Sequence, residues 1–392
     1  MSYSTKLTEN LNRQDPNSRP PPLVLLRWLA SFALKRGSPL HWRQRLALAF
    51  IRAQRAIVPA GVRRRNLRRE LTGQGIIAYC AKKGLVVKTV QLEASSTTYK
   101  AGLDVPAPTL HFIAAPGASD QSGATTLLYF HGGGYVNPMR AGGHVPFALQ
   151  CAEACGAREV VFLEYALAPE YPYPAQLVQA VAAFRYLLEG DSHLSVDDIV
   201  LAGDSAGGNL VGSLLAHLAS PSPYAAPVDL AGHTLKAAVF VCPWTMMHVN
   251  QASFATNDAY DYLNRPQALQ FKAEWNPAEG EVWANLCDAP AASAVWDAAF
   301  GRAGKPGVVS KALVTSGSAE VLVDSCNLFA KNHLRGELVV ADSGTDLSVL
   351  DGKDFVSVEC NGEVHVQPAL DAFMGYKDGV MMRAIARFLK TV

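Results

Sequence analysis

The 392-residue chain is 49% hydrophobic and 18% charged, the composition of a globular protein with a sizeable core, and its length suits one α/β domain carrying insertions. Its net charge of +1 hides an uneven spread: residues 1–70 hold fifteen Lys and Arg against three Asp and Glu, and the remainder twenty against thirty-one. The basic front matches no recognised nucleic-acid-binding module, and no run reaches the roughly 18–20 uncharged apolar residues of a membrane span, so neither a nucleic-acid partner nor a transmembrane segment is expected.

Residues 1–22, rich in Asn, Pro and Ser, read as disordered up to Pro20-Pro21-Pro22. Residues 23–84 form a separate N-terminal segment. In it, Leu23–Ala33, interrupted by Arg27, and Leu46–Val58, with further arginines, read as two amphipathic helices. Their apolar faces need burial somewhere; a basic amphipathic pair also suits peripheral contact with an anionic membrane. No cleavable export signal is recognised, and seven cysteines, at 80, 151, 155, 242, 287, 326 and 360, include no Cys-x-x-Cys pair. The odd count favours a reduced, cytoplasmic setting with no structural metal. Nothing in the sequence sets the oligomeric state.

From residue 85 to 392 strands and helices alternate. Strands are expected at Val86–Leu92, Thr109–Ala114, Thr125–Phe130, Glu159–Glu164, Ile199–Ala202, Ala237–Val241, Lys311–Thr315 and Phe355–Cys360, and helices at His144–Ala154, Gln176–Leu188, Ala206–Leu218 and Asp371–Leu389. Such alternation builds a mostly parallel sheet with helices on both faces, and ligands gather at the carboxyl ends of its strands. Residues 245–308 interrupt the pattern and read as an insertion; its Trp275, Trp283 and Trp296 are candidates for an apolar pocket or for core. Asp342–Asp354 reads as an exposed loop.

Two glycine-rich stretches sit at strand ends. His131-Gly132-Gly133-Gly134-Tyr135 follows Thr125–Phe130; three glycines let backbone amides turn toward a ligand, as stabilising a developing oxyanion requires. Gly203-Asp204-Ser205-Ala206-Gly207-Gly208 joins an apolar strand to a helix. Glycines two residues either side of a serine leave room for the tight reversal that holds the hydroxyl out at the sheet edge.

Together with Tyr165-Ala166-Leu167-Ala168-Pro169-Glu170-Tyr171-Pro172-Tyr173-Pro174-Ala175 between them, these motifs resemble the hormone-sensitive-lipase-like family of α/β-hydrolases. The resemblance covers about residues 85–390 and implies an α/β-hydrolase fold with Ser205 as nucleophile and a helical cap over the active site, for which residues 23–84 are the expected first part and the insertion at about 245–308 fits a second. A serine hydroxyl needs a base, and the resulting imidazolium a carboxylate, in chain order serine, acid, histidine. His365, in Gly362-Glu363-Val364-His365 after the last strand, is better placed than His233, His248 or His333. Gly317-Ser318-Ala319-Glu320-Val321-Leu322-Val323-Asp324 resembles the family's acid loop with glutamate in place of its usual first aspartate, so Glu320 is the expected acid and Asp324 the runner-up.

The resemblance further implies oxyanion donors at the amides of Gly132, Gly133 and Ala206. It gives bracing roles to His131, Asp204 and Glu170, and substrate contact to Tyr135. It implies a serine carboxylic-ester hydrolase acting on a medium-sized apolar small-molecule ester, lactone or thioester, with secondary metabolism as one setting in which similar proteins act, and no cofactor. Acyl transfer or cyclisation by the same residues, or a non-catalytic ligand-binding role, are the rival expectations; retention of both Ser205 and His365 argues against the last.

Overall fold

The computed structural model describes residues 26, 29–30, 39–58, 66, 68, 70–118, 125–190, 194–302, 304 and 306–392. The expected disordered segment 1–22 and most of the apolar run 23–33 lie outside them. Helix α1 (Trp42–Ile57) begins four residues before the apolar run that announces it. His41 and Gln44 explain the earlier start: His41 Nδ1 accepts from Arg43 N at 3.3 Å and Gln44 Oε1 from His41 N at 2.9 Å, so two amides of the first turn are satisfied. Helix α2 (Thr72–Lys83) was not expected, because Gly73 and Gly75 disfavour a helix locally. Tertiary contact overrides them: Gly73 N donates to Glu164 Oε1 at 2.9 Å, and Ile76 and Cys80 are fully buried.

The body then runs β1 (Val87–Gln91), β2 (Thr109–Ala114), β3 (Thr126–Phe130), α3 (Ala141–Ala154), β4 (Glu159–Glu164), α4 (Ala175–Glu189), β5 (Ile199–Asp204), α5 (Ala206–Ala219) and β6 (Ala237–Val241). Next come α6 (Arg265–Trp275) and α7 (Ala292–Ala299) in the insertion, then β7 (Ala312–Gly317), α8 (Val323–Phe329), β8 (Glu337–Ala341), β9 (Phe355–Cys360), α9 (Gln367–Phe373) and α10 (Val380–Leu389). Nine strands among the described residues form one sheet in the order β1-β2-β4-β3-β5-β6-β7-β9-β8, parallel except for the β1–β2 and β2–β4 pairs. Alternate strand residues feed opposite layers: Leu128, Phe130, Leu201 and Phe240 pack on one face and Leu127, Tyr129, Val200 and Val239 on the other.

Three expectations need correction. The run Asp371–Leu389 is two helices, broken around Gly375 (φ 64°), and α10 starts where Glu363 accepts the amides of Val380 and Met381 at 2.7 and 2.9 Å. Strand β8 was missed; it is an edge strand with Leu338 and Val340 facing solvent, so its outward pattern is weak. Asp342–Asp354 is a loop, but a turn at Leu347–Leu350 buries two leucines.

Register sets the functional edge. Phe130 pairs with Gly203, Val241 with Asp204 and Cys360 with Gly317, so the loops after β3, β5, β7 and β9 leave the sheet side by side.

Candidate active site

Ser205 sits between β5 and α5 with φ 55° and ψ −117°, a conformation that costs a non-glycine residue about 1–3 kcal/mol and is held by its surroundings. The reversal is tight: a β-carbon on Gly207 would lie 2.0 Å from the Phe130 carbonyl oxygen, and one on Gly203 2.4 Å from that of Gly207. Ser205 N donates to Val241 O at 2.9 Å, tying the turn to β6.

His365 Nε2 lies 2.8 Å from Ser205 Oγ, and its Nδ1 2.7 Å from Glu320 Oε2. Because a carboxylate only accepts, Nδ1 carries the proton and Nε2 is free to receive one from the hydroxyl. Glu320 is fully buried, and its other oxygen accepts from Gly317 N at 3.1 Å. Burial pulls the imidazole pKa down, but the hydrogen bond and charge of Glu320, with Asp261 and Asp204 behind it, outweigh burial and leave His365 raised. Asp324 is directed elsewhere: its Oδ2 accepts from Ser253 N at 2.8 Å. His233 pairs with Asp197, His248 with Asp288, and His333 Nε2 donates to the Cys287 carbonyl at 2.8 Å.

The glycine loop requires two corrections. The N–H of Gly132 is spent on Asp204 Oδ1 at 3.0 Å and is not available to a ligand. The amides of Gly133, Gly134 and Ala206 donate to no described acceptor. Tyr135 is fully buried; its hydroxyl donates to Asn209 Oδ1 at 2.8 Å and its ring stacks on Trp275 at 4.3 Å, so it is a strut and not a contact surface. The sequence could not reveal either point, since both depend on partners more than seventy residues away.

Further groups brace the loop. Asp204 also accepts from the Tyr129 hydroxyl at 2.5 Å and from His144 at 3.3 Å; His144 faces the Arg140 carbonyl through its other nitrogen, and Asp204 raises its pKa against burial. His131 donates from Nδ1 to Gly132 O at 2.6 Å, stacks on Tyr165 and accepts from Thr72; burial lowers it to about 4, so it braces as a neutral ring. Arg68 grips the same region through the Val136 and Ala168 carbonyls and an ion pair with Glu170.

Part of the stretch 245–308 lies against this edge. Trp275 and Trp296 are core residues, and half-buried Trp283 donates from Nε1 to Ser220 O. Phe271 of α6 lies against Gly134. Ser205 is 9% and His365 3% exposed. Among the described residues, the Cys, His and carboxylate groups with metal-ligand spacing are Cys242, Glu320 and His365; His365 Nδ1 is already engaged by Glu320, and Cys242 Sγ accepts from Val366 N at 3.3 Å. All seven cysteines are free thiols. No helix among the described residues is long and apolar enough to cross a membrane.

A family profile described as alpha/beta hydrolase fold matches residues 127–341. Carboxylesterase NlhH of Mycobacterium tuberculosis is 36% identical over 157 residues, covering 38% of this chain and 44% of that protein. The hormone-sensitive lipase of Homo sapiens is 37% identical over 86 residues, 21% of this chain and 8% of that protein. The matched segments thus span less than half of these relatives. Among solved structures, an esterase from the bacterial hormone-sensitive lipase family is similar with a TM-score of 0.57 at 24% identity, over 90% of this chain and 98% of that one, a likeness of fold.

Proposed function

Since the chain belongs to the α/β-hydrolase fold family, we propose that it is a serine carboxylic-ester hydrolase of the hormone-sensitive-lipase-like branch. The observation that carries the proposal is the unbroken line from Ser205 Oγ through both nitrogens of His365 to Glu320, at 2.8 and 2.7 Å. Ser205 Oγ attacks the ester carbonyl carbon as its proton passes to His365 Nε2, and Glu320 stabilises the imidazolium. The amides of Gly133, Gly134 and Ala206 receive the oxyanion. Collapse breaks the bond to the alcohol, which takes the proton from Nε2. Water then gives a proton to the same nitrogen, attacks the acyl carbon and releases the acid, and the proton returns to Ser205.

The substrate is a medium-sized apolar ester, lactone or thioester. Phe271 beside the glycine loop and the low exposure of the triad support a small enclosed apolar site over an open one. Hydrolysis of p-nitrophenyl esters from acetate to decanoate by the parent and by Ser205→Ala tests the reading: turnover lost in the variant supports it, and a parent with neither turnover nor fluorophosphonate labelling of Ser205 overturns it. The same low exposure favours one second reading, acyl transfer or cyclisation with water held out, which requires labelling of Ser205 with slow hydrolysis.

The segments 23–84 and 245–308 act as the two parts of a cap, and α1 also meets an anionic membrane surface. That helix has no acidic residue and exposes Arg43, and it turns Trp42, Leu46 and Phe50, spaced by four, outward at 54, 41 and 55% exposure while Ala47, Leu48, Ala49 and Ala53 face inward.

A further inference from the structure

Residues 253–262 carry no motif, yet their polar groups converge on the two loops that present Glu320 and His365. Ser253 Oγ donates to Val321 O at 2.7 Å. Asn257 Nδ2 donates to the carbonyls of Ser318 and Glu320 at 3.0 and 2.8 Å. Asp261, only 2% exposed, joins both loops at once: Oδ2 accepts from Val321 N at 2.9 Å, and Oδ1 from His365 N at 3.4 Å and Tyr262 N at 2.7 Å. Behind this stem stands α1. Arg52 donates to the carbonyls of Asp258, at 3.1 Å, and of Asp261, and Arg55 lies 5.6 Å over the Tyr262 ring, itself 6.0 Å from the His365 ring.

We infer that Asp261 is a positioning residue for the proposed esterase: a second carboxylate, supplied by the insertion, that holds the acid and histidine loops in register and adds negative charge beside His365. The inference rests on the triad reading. A buried carboxylate accepting backbone amides from two loops fixes their separation, and therefore the His365–Glu320 and His365–Ser205 distances that proton transfer needs. Its charge also favours the imidazolium.

The groups facing His365 are Glu320 after β7, Asp204 at the end of β5 and paired with His144, Ser205, Tyr262 and Asp261 from the stem, and Cys242 after β6, whose thiol burial pushes well up and keeps neutral. Those facing Asp261 are His365, Glu320 and Arg52. Burial pushes Asp261 up to about 6 against the pull of His365 and the backbone amides, so it is an anion where neutral His365 works.

The test compares the full chain with Asp261→Asn, Asp261→Glu and Asn257→Ala on p-nitrophenyl butyrate across the pH range, after fluorophosphonate labelling of the parent establishes the nucleophile. Without that labelling the esterase reading itself fails. Asp261→Asn is expected to lower kcat about tenfold or more with little change in KM, and to move the acid limb of kcat/KM about half a pH unit or more lower, because a lost neighbouring anion lowers the His365 pKa. Asp261→Glu keeps the charge and is expected to hold the limb near the parent position. Asn257→Ala, which removes two uncharged contacts to the same loop, should lower kcat and leave the limb in place. An unmoved limb in a folded Asp261→Asn protein overturns the inference, as does a limb shifted equally in Asn257→Ala. Should the asparagine variant not fold, a displaced limb in Asp261→Glu overturns it alone.

Discussion

The ring of Phe271 occupies the place of the β-carbon that Gly134 lacks: an ideal Cβ there would lie 2.3 Å from both Cγ and Cδ2 of the phenylalanine. Gly134 has φ 65°, where a side chain is strained as well as obstructed. The insertion therefore touches the glycine loop at the position proposed for an oxyanion donor.

Gly134→Ala should then displace α6 and the loop together, and lower kcat/KM by about a hundredfold, the scale of losing one oxyanion donor. Phe271→Ala should retain catalysis and shift preference among p-nitrophenyl esters toward a longer acyl chain by about tenfold, as added room in an apolar pocket does. An unchanged chain-length profile would remove Phe271 from the substrate site.

The two carboxylates of the acid loop separate cleanly. Glu320→Gln should reduce kcat by about a thousandfold or more, since the amide presents the wrong partner to His365 Nδ1. Asp324→Asn removes a charge that caps Ser253 N and should change kcat by no more than about threefold, leaving a modest fall in melting temperature. Equal kinetic losses in the two variants would argue against Glu320 as the orienting acid.

A buried pair near the histidine loop should make stability depend on pH. Burial, with the mutual repulsion of the pair, raises Glu363 to about 7, and burial raises Asp371 to about 7; Gln44 of α1 donates to both, at 3.4 and 2.8 Å. Both values lie above those of an unfolded carboxyl, so between about pH 4 and 7 the folded chain binds more protons than the unfolded one, and stability falls as pH rises through that window. The melting temperature of the parent relative to that of Asp371→Asn should therefore fall from pH 5 to about 8. A difference between the two proteins that stays constant or moves the other way across the window contradicts this account.

Vesicle binding checks the outward face of α1. The chain should co-sediment with phosphatidylglycerol vesicles, weaken as salt rises, and ignore pure phosphatidylcholine, because exposed Arg43 supplies attraction and the apolar stripe supplies depth. Replacing Trp42, Leu46 and Phe50 together by serine should abolish sedimentation without altering hydrolysis of a soluble ester. Equal binding of parent and variant would leave that stripe without its proposed partner.

The expected triad was legible through motifs at strand ends. Ser205 and His365 stand in loops that leave apolar strands and Glu320 follows β7, but it is the resemblance of those loops to the family's motifs that singles the three out. Gly132 was misassigned because adjacent glycines look alike until Asp204 is seen to take the first amide. Tyr135 was misread for the complementary reason: an aromatic beside a glycine loop resembles a pocket wall, and only its stacking on Trp275, 140 positions later, makes it a strut. Helix α2 and strand β8 escaped because one contains glycines tolerated through tertiary contact and the other faces solvent. Asp261 had no local signal, lying in an aperiodic stretch whose meaning comes from the loops it bridges.

The grip of residues 253–262 on the acid loop bears on any attempt to redesign selectivity by grafting insertions between relatives. A splice made at the strand boundaries, after β6 and before β7, would carry away the contacts of Ser253, Asn257 and Asp261 along with α6. A chimera that keeps native residues through position 262 and exchanges only the later part of the insertion would inherit an aligned triad, so the natural cut site for this scaffold lies at Asn264, where its side chain caps the start of α6.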